Sequence, residues 1–438
     1  MIPAKNTKEQ LEILKRGVIE IISEKELTQK IEESLKKQKP LRIKLGIDPT
    51  APDLHLGHSV TLKKLRQFQD LGHKVILIIG DFTAQIGDPT GRSETRKVLT
   101  QEEIKKNIQT YLNQLEKILK TDNPELFELK YNSEWLSPLT FQKVLELTQH
   151  FTVAQLLERE DFKKRYEKGV PIGLHEFFYP LMQGYDSVAI QSDVELGATE
   201  QKFNILIGRE LQRIFGMESP QVALFLPILE GTDGIQKMSK SFGNYIGITE
   251  PPDEMFGKLM SIPDLVMPRY YELLTNVSED EIQLLKEALS SGVKRITEDG
   301  TKVGLTSKAS VDFREWKARL AKIIVDFYHG ENAGVKAEEN FNRVHRDKQV
   351  PEIIPEFHVP LHLLESVNPT IGPGKVPIPQ LLVMSGLATS IRDAKRLIAQ
   401  RGVQIDGKTL RDENQTLQVK NGIIIKAGKK NFIKLRIP

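Results

Sequence analysis

The first third of the chain alternates between strand-like and helix-like patterns of apolar residues. Apolar residues at 41, 43, 45 and 47 recur with period two, which predicts a strand over 41–47. A continuous apolar run over 74–80 predicts a parallel strand covered on both faces. Between the two, a helix that ends near Gly72 is predicted by Leu62, Leu65, Phe68 and Leu71. This order predicts a doubly wound, Rossmann-like α/β fold, whose ligands bind at the carboxyl ends of the strands.

The remaining patterns divide the chain into regions. Residues 7–39 predict two amphipathic helices, the second opened by Ser23 and Glu26 in capping-box spacing. Residues 101–160 predict further helices, and a helical pattern without strands follows the two prolines at 251 and 252. We therefore expect a catalytic domain over 1–247, an α-helical domain over 248–345, a Pro-rich linker over 346–376 and a small α+β domain over 377–438.

Residues 377–438 differ from the rest of the chain in charge. They contain 12 Lys and Arg residues against 4 Asp and Glu, although the whole chain has a net charge of only +3. Apolar spacing predicts helices up to residue 398, Asp406-Gly407 predicts a hairpin turn, and 426–437 predicts a basic closing strand. A basic module indicates a polyanion partner at this end of the chain. A basic but inert solvated surface is the competing interpretation.

Composition excludes several classes of protein. The 438 residues are 39% hydrophobic and 28% charged, as in ordinary globular domains. Without cysteine the chain forms neither disulfides nor thiolate zinc sites, which fits a reducing compartment. The longest apolar run, Val75–Ile79, is too short to span a membrane, and the first residues lack the apolar core of a signal peptide. We therefore expect a cytoplasmic protein with no membrane partner.

Two histidines lie where the strand predicted over 41–47 passes through a loop into the next helix. His55 and His58 are three residues apart, so both imidazoles lie on one helical face, and Gly57 leaves room for a flat ligand such as adenine. The amino end of a helix favours phosphate, because free N–H groups and the positive end of the dipole face the ligand. A pair of solvated or core histidines is the competing interpretation of so short a motif.

A second candidate is the loop Lys237-Met-Ser-Lys-Ser241. Glycines flank it at 231, 234 and 243, which predicts a mobile cationic clamp in which Lys237 and Lys240 act together; a solvated basic turn is the alternative. Histidines and lysines together suit the triphosphate of ATP and attack by a carboxylate on the α-phosphorus, with pyrophosphate leaving. A carboxylate is already ionised near pH 7, so this reaction needs alignment and charge stabilisation but no general base.

Two further stretches offer polar groups near the predicted strand ends. The loop over 80–96 contains Asp88 and Arg92, which could supply a carboxylate for an ammonium group and a cation for phosphate, although a solvated turn is the alternative. Tyr179, Gln183 and Asp186 fall on one face of a helix among apolar neighbours, which favours the lining of a pocket over a solvated face. The apolar stretch 151–157 is typical of a core or of a dimer interface, and sequence alone does not separate these.

The paired motifs His55-Leu-Gly-His58 and Lys237-Met-Ser-Lys-Ser241 resemble those of class I aminoacyl-tRNA synthetases. Further motifs narrow the resemblance to the tyrosyl-tRNA synthetases and extend it over nearly the whole chain. They are Gly46-Ile-Asp-Pro-Thr-Ala, Gly87-Asp-Pro-Thr-Gly-Arg, the spaced Tyr179, Gln183 and Asp186, and a C-terminal module like the S4 RNA-binding domain. The resemblance implies a homodimeric ligase that adenylates L-tyrosine with ATP and Mg²⁺ and then charges tRNA(Tyr).

The resemblance also implies roles for individual residues. In the chemical step the expected residues are His55, His58, Lys237, Lys240 and Arg92. Around ATP they are Asp48, Gly57, both histidines, Glu200, Gln201, Lys240 and Ser241. Around tyrosine, Tyr179, Gln183 and Asp88 would hold the ammonium group and Asp186 would accept the phenol O–H. No acidic cluster has metal-ligand spacing, so no protein metal site is expected and Mg²⁺ would travel with ATP.

Some positions depart from the common family pattern. Many members have a tyrosine two residues before the glycine at 46, as a second partner for the phenol, whereas this chain has Lys44. Near the ribose, Ala198 and Glu200 replace the usual Gly and Asp. Three alternatives stay open at this point: a tryptophanyl relative, a nucleotidyltransferase that shares the histidine motif, and an RNA-binding protein with an inactive catalytic fold. Exchange of pyrophosphate into ATP with each amino acid would decide on the tryptophanyl relative, while the Lys237 loop and the helical domain disfavour the nucleotidyltransferase. Failure to form tyrosyl-adenylate, with RNA binding intact, would favour the inactive catalytic fold.

Overall fold

A six-stranded, mostly parallel sheet forms the framework of the first part of the chain. A computed structural model of the protein describes residues 5–49, 53–89, 100–292, 312–345, 354–360, 375–428 and 431–437. The chain divides into two compact units, Met1–Gly334 and Val335–Pro438. In the described residues no helix has the length and apolar character needed to cross a membrane.

The strand order of this sheet is β1-β6-β5-β2-β3-β4, and only β1 runs antiparallel to its neighbour. The strands are β1 (Glu20–Ile22), β2 (Arg42–Ile47), β3 (Lys74–Ile79), β4 (Phe127–Tyr131), β5 (Val194–Ala198) and β6 (Val222–Leu226). β3 and β6 are buried along nearly their whole length, as the continuous apolar runs predict. The doubly wound α/β fold predicted from the sequence is confirmed.

Helices cover this sheet and continue beyond it. The first nine are α1 (Thr7–Lys15), α2 (Glu24–Lys37), α3 (Leu56–Asp70), α4 (Thr83–Ile86), α5 (Gln101–Leu115), α6 (Ser133–Leu136), α7 (Phe141–Thr148), α8 (Val153–Leu157) and α9 (Glu160–Glu167). The others, up to residue 345, are α10 (Phe178–Ala189), α11 (Lys202–Ile214), α12 (Pro252–Ser261), α13 (Met267–Leu274), α14 (Glu279–Gly292), α15 (Phe313–His329) and α16 (Ala333–His345).

Local sequence signals explain where the helices begin and end. Ser23 caps α2 by accepting from the backbone N–H of Glu26, whose carboxylate accepts from the N–H of Ser23, so the predicted capping box is present. On α3 the stripe of Leu62, Leu65 and Phe68 is buried. Gly72 follows this helix with φ of +82°, a conformation that residues with a Cβ rarely adopt.

Two edge strands were not predicted. β1 lies inside the region predicted as two helices, and β4 lies inside 101–160, which was predicted as helical, so both expectations were wrong at these points. β4 is only partly buried along its length, and it carries Glu128 and Lys130. An edge strand that is short and charged lacks the apolar pattern on which a strand prediction depends.

The C-terminal unit contains its own small sheets and core. In its described residues the strands are β7 (Glu356–His358), β8 (Lys375–Pro377), β9 (Val403–Ile405), β10 (Lys408–Thr409), β11 (Thr416–Gln418), β12 (Ile424–Ala427) and β13 (Asn431–Arg436), and the helices that follow α16 are α17 (Ile378–Met384) and α18 (Ile391–Ala399). The strands form a five-stranded sheet ordered β10-β9-β12-β13-β7 and a β11-β8 pair. The predicted turn at Asp406-Gly407 joins β9 and β10, both residues having positive φ.

Two features of this unit differ from expectation. The stretch 426–437 is not one strand, because β12 and β13 pair antiparallel as the two arms of a hairpin. Within the expected Pro-rich linker, β7 pairs with β13 and Val359 is buried in the C-terminal core. The other described residues of that linker are few, and the domain boundaries stay predictions.

Candidate active site

The histidine motif opens α3 directly beyond the end of β2. His55 is the N-terminal capping residue of α3, and its backbone N–H donates to Nδ1 of His58 at 3.2 Å. Because Nδ1 of His58 accepts, the proton of the neutral ring lies on Nε2, which is left as a hydrogen-bond donor. The two imidazole rings lie 3.9 Å apart between centroids. The motif therefore presents a pair of adjacent rings at a helix start, as the spacing predicts.

Both histidines are neutral near pH 7. Loss of hydration around its ring nitrogens lowers the pKa of His58 to about 4, with the nearby Lys240 as a second cause, while the residue as a whole stays exposed to solvent. Burial also lowers the pKa of His55 to about 2, with His58 and Lys240 adding to the effect. Neutral imidazoles can donate hydrogen bonds to an anion, but they add no positive charge to the site.

The lysine loop lies against the histidine motif although the two are far apart in sequence. The N–H of Leu56 donates to the carbonyl of Ile246 at 2.9 Å, and the N–H of Ile248 donates to the carbonyl of Leu54 at 3.2 Å. A Cβ added to Gly57 would lie 2.9 Å from Nδ1 of His55 and 3.5 Å from Cβ of Met238. Any side chain at Gly57 would therefore crowd the first histidine and touch the lysine loop.

Each lysine of the loop has a carboxylate partner. Lys237 Nζ lies 3.0 Å from Glu200 Oε1, and Lys240 forms an ion pair with Asp53. Asn244 shapes the loop: its Oδ1 accepts from the N–H of Ser239 at 2.8 Å, and its Nδ2 donates to the carbonyl of Lys237 at 3.1 Å. Asn244 had not been predicted, although its buried amide organises the loop.

A cavity of about 280 Å³ opens beside these motifs, at the carboxyl ends of β2, β3 and β5. Seven of the predicted site residues line it: Asp48, His58, Asp88, Tyr179, Gln183, Asp186 and Gln201. The other described site residues lie outside its lining, and they are His55, Gly57, Glu200, Lys237, Lys240 and Ser241. Arg92 lies outside the described residues. A larger groove of about 560 Å³, between the loop after β6 and α14, contains none of the described site residues.

Tyr179 and Asp48 are joined in the wall of the cavity. The hydroxyl of Tyr179 donates to Asp48 Oδ2 at 2.9 Å, and the hydroxyl of Thr83 donates to Asp48 Oδ1 at 2.8 Å. Burial and the nearby carboxylates raise the pKa of Tyr179, so its hydroxyl keeps its proton. Asp48, which the resemblance places beside the nucleotide, thus contacts a residue that is expected at the amino acid.

Asp88 is held between two donors. Arg159 Nη2 lies 3.1 Å from Asp88 Oδ1, and Gln201 Nε2 donates to Asp88 Oδ2 at 2.8 Å. Arg159 is buried and also pairs with Asp161 at 2.9 Å. Sequence reasoning missed Arg159, the residue directly before α9, because nothing local distinguishes it from the basic residues of that helix.

The hydrogen bonds seen at the carboxylate of Asp186 both come from uncharged donors. Trp135 Nε1 donates to its Oδ1 at 2.8 Å, and Asn132 Nδ2 lies 3.4 Å from its Oδ2. Burial raises the pKa of Asp186 to about 7, and the nearby Lys44 opposes this rise. Trp135 and Asn132 were also missed, because they follow β4, which was not predicted as a strand. Asp186 is therefore a buried acceptor poised between its two protonation states at neutral pH.

The second unit carries the basic surface predicted from its charge. On α18 Ala394 and Ile398 are buried, while Arg392 and Arg396 are exposed. Ile391, the first residue of the helix, is 46% exposed. The helix therefore turns an apolar side to the core of its unit and a basic side outward.

Comparisons with known proteins place most of the chain in known families. Residues 36–345 match the family of class I tRNA synthetases (W and Y), and residues 376–423 match the S4 domain. The chain is 51% identical over 435 residues to the tyrosine–tRNA ligase of Carboxydothermus hydrogenoformans, with 99% of each chain covered. It is 50% identical over 426 residues to that of Moorella thermoacetica, with 97% of this chain and 95% of the relative covered.

Solved structures show the same fold at lower identity. The tyrosyl-tRNA synthetase of Archaeoglobus fulgidus, complexed with L-tyrosine, matches with a TM-score of 0.58 at 22% identity, over 76% of this chain and 99% of that one. A truncated mitochondrial tyrosyl-tRNA synthetase of Aspergillus nidulans matches with a TM-score of 0.59 at 21% identity, over 77% and 94%.

Proposed function

The chain belongs to the class I tRNA synthetases of the tryptophan and tyrosine type, and from this premise we propose how its residues activate tyrosine and charge tRNA. The activity is that of a tyrosine–tRNA ligase, which joins tyrosine to its tRNA at the expense of ATP. The observation that carries the residue assignments is the buried carboxylate of Asp186 in the cavity, with the N–H groups of Trp135 and Asn132 around it.

Asp186 would accept the phenol O–H of tyrosine. A buried carboxylate that loses a donor costs about 1–3 kcal/mol, so phenylalanine would bind worse for lack of its hydroxyl. A site built to bind a hydroxyl rejects a substrate without one, and tyrosyl-tRNA synthetases are themselves a known example of this rule. Tyr179, Gln183 and Asp88 would hold the ammonium group, supported by their place in the same cavity.

ATP would lie over the start of α3. A carboxylate oxygen of tyrosine attacks the α-phosphorus, the bond from that phosphorus to the bridging oxygen breaks, and pyrophosphate leaves with the electron pair. The Nε2–H of His58 would donate a hydrogen bond to a phosphate oxygen of ATP, and His55 would donate to a neighbouring phosphate oxygen. Lys237 and Lys240 would neutralise the leaving pyrophosphate once ATP displaces Glu200 and Asp53 from them.

Other ATP contacts follow from the neighbouring loops. Gln201, Ser241 and Glu200 would contact the nucleotide, with Gly57 leaving room for the base, and we keep Arg92 as a further phosphate ligand. Mg²⁺ would accompany ATP as a complex with the phosphates, since it prefers phosphate oxygens and water as ligands. In the second step a hydroxyl of the terminal ribose of tRNA attacks the tyrosyl carbonyl carbon, and AMP leaves.

The helices after residue 248 and the basic C-terminal unit would bind tRNA(Tyr). Arg392 and Arg396 face outward on α18, in the part of the chain that matches the S4 domain. Replacing both by alanine should weaken tRNA binding and reduce its salt dependence while leaving tyrosyl-adenylate formation unchanged. If the variant bound tRNA with the same affinity and the same dependence on salt concentration as the parent, this surface would not be part of the tRNA-binding site.

A second copy of the chain would cover an apolar surface on α7, α8 and the residues before α10. Phe141, Val153 and Leu174 are 77%, 64% and 74% exposed there, which is unusual for large apolar side chains in one region. Leu174→Glu should dissociate a homodimer in sedimentation experiments. Leu265→Glu, at a similarly exposed leucine outside this surface, is the control and should leave the association unchanged. We place the enzyme in the cytoplasm, where tRNA and ATP are available.

Pyrophosphate exchange tests the residue assignments. Purified protein should exchange labelled pyrophosphate into ATP with tyrosine, far less with phenylalanine, and not with tryptophan. Asp186→Asn should reduce the preference for tyrosine over phenylalanine. A variant with unchanged preference would overturn the role of Asp186, while the activity of the parent protein would still stand.

A further inference from the structure

Lys44 is a fully buried lysine beside the cavity that the proposed reaction does not use. Its Nζ lies 3.0 Å from the carbonyl oxygen of Gln183, 2.7 Å from Ser187 Oγ and 2.8 Å from Glu195 Oε1. An ammonium group has three N–H donors, and these three acceptors use all of them. Lys44 therefore has no donor left for the phenol of a substrate, although it stands where many relatives have a tyrosine.

Glu195 is the partner of Lys44 on the neighbouring strand. The two residues stand opposite each other in the parallel ladder of β2 and β5, so their side chains share one face of the sheet. The carboxylate of Glu195 also accepts from Ser187 Oγ at 2.9 Å and from Nε2 of Gln221. Glu195 lines the cavity, while Lys44 lies behind it.

The pair touches α10 at the turn that carries the proposed tyrosine ligands. Lys44 bonds the carbonyl of Gln183 and the hydroxyl of Ser187, and Asp186 lies between these two contacts in the sequence. We propose that Lys44 and Glu195 form a positioning pair for tyrosine selection, which fixes this turn of α10 against β2 and β5 and balances the charge behind Asp186. This inference rests on the proposed role of Asp186.

Electrostatics supports the same pair. Lys44 lowers the pKa of Asp186 and Glu195 raises it, against the larger upward effect of burial. If only the charge of Lys44 were lost, the carboxylates of Asp186 and Glu195 would remain near each other without a compensating cation. The pKa of Asp186 would then rise further. Losing both charges would restore the balance.

The remaining charged groups around α10 are engaged elsewhere or face Asp186 only weakly. On α11, Lys202 pairs with Glu20, Arg209 with Glu26 and Arg213 with Glu210. Before α10, Glu176 pairs with Arg165, and on α6 Glu134 pairs with Lys130. Across the cavity, Tyr179 bonds Asp48 and Asp88 bonds Arg159. Lys44 and Glu195 are thus the charges whose removal should change Asp186 most.

The experiment measures the KM for tyrosine against pH in pyrophosphate exchange. Lys44→Met should raise the tyrosine KM about fivefold at pH 7 and move the pH midpoint of that KM upward by about one unit. The KM for ATP should stay within about twofold. Adding Glu195→Gln to Lys44→Met should return the midpoint to within about half a unit of the parent, which a loss of packing alone would not do.

Lys64→Met is the matched control. Lys64 is another buried lysine, on α3, whose Nζ donates to the carbonyls of Ile13 and Arg16 at 3.2 and 2.8 Å. Its loss should lower the melting temperature and leave the tyrosine pH midpoint unchanged. If the pH midpoint of the tyrosine KM were the same in Lys44→Met as in Lys64→Met, the inference would be overturned. If Asp186→Asn lost its preference for tyrosine while the two midpoints were equal, the role of Asp186 would be supported and the role of the Lys44–Glu195 pair would be rejected.

Discussion

The cavity proposed for tyrosine and the loops that flank it hold their charged groups in different ways. In the cavity, Asp186 is buried and receives hydrogen bonds from uncharged donors, which a substrate hydroxyl can join without displacing an ion. In the loops, Lys237 and Lys240 are partly exposed and each is paired with a carboxylate. ATP would have to replace those carboxylates as the partner of the lysines.

This difference assigns separate tasks to the two regions. A buried acceptor with fixed neighbours discriminates between substrates, because a substrate that lacks the matching donor leaves it unsatisfied. Exposed ion pairs exchange partners at little free-energy cost, because water and salt screen them. We therefore expect substitutions in the cavity to change the use of tyrosine, and substitutions near the loops to change the use of ATP or the rate of activation.

The largest effect should come from His58, which borders both regions. His58→Ala removes the Nε2–H donor proposed to act on phosphate, and it should slow tyrosyl-adenylate formation about 100- to 1000-fold. The tyrosine KM should change little, because the phenol acceptor stays in place. Single-turnover measurement of adenylate formation tests this.

His58→Gln is the control for that prediction. Glutamine can accept from the backbone N–H of His55 and still offer an N–H, so it should retain more activity than alanine. If the tyrosine KM of His58→Ala rose as much as its rate fell, the two regions would not be separable in the way proposed.

Asp186→Ala should produce the next largest effect. It removes the proposed acceptor for the phenol and leaves the N–H of Trp135 without the partner it has in the parent protein, so kcat/KM for tyrosine should fall about 100-fold. The KM for ATP should stay within about twofold. Equal losses for both substrates would count against assigning Asp186 to the amino-acid cavity, provided that the melting temperature shows a folded variant.

The tyrosine KM should also depend on pH. Burial raises the pKa of Asp186 to about 7, so its carboxylate is mostly protonated at pH 6 and mostly ionised at pH 8. Since the ionised form is the better acceptor, the tyrosine KM should rise about tenfold from pH 8 to pH 6. Pyrophosphate exchange at several pH values measures this.

The ATP side should lack that dependence. Loss of hydration lowers the pKa of His58 to about 4, and burial lowers that of His55 to about 2, so both rings stay neutral between pH 6 and pH 8. The KM for ATP should be flat over this range. Asp186→Asn should abolish the change in tyrosine KM, and a change that persisted there would have to arise from another group.

The framework of the site could be predicted from local patterns, because the elements that build it are local. The alternating residues of β2, the stripe of α3 and the apolar run of β3 each encode their own structure. The histidine and lysine motifs could be placed together only through their resemblance to a family. Their contact depends on the pairing of Leu56 with Ile246, which no local pattern encodes.

Other parts of the site depend on long-range contacts and could not be predicted. Trp135 reaches Asp186 only because β4 joins the edge of the sheet, and Arg159 reaches Asp88 from the residue before α9, where no local pattern indicates a site. Lys44 occupies a strand position that alternation assigns to one face, but the sequence does not say that Glu195 lies opposite it. Buried charges are interpretable only when their partners are known.

The smallest predicted effect concerns the ion pair that holds Lys240 before ATP binds. Asp53→Asn removes the carboxylate that competes with phosphate for this lysine, and both side chains are partly exposed. An exposed ion pair contributes about 0–1 kcal/mol, so the KM for ATP should fall about two- to fivefold at low salt. The tyrosine KM should stay unchanged.

Salt and a matched variant decide the cause of that change. The gain for Asp53→Asn should shrink at high salt, because screening already weakens the competing pair in the parent protein. Glu33→Gln breaks a similar exposed pair with Lys37 on α2, and it should leave the KM for ATP unaltered. A rise in the ATP KM of Asp53→Asn would mean that Asp53 helps to bind ATP, and the loop lysines would then not be held in reserve by a competing carboxylate.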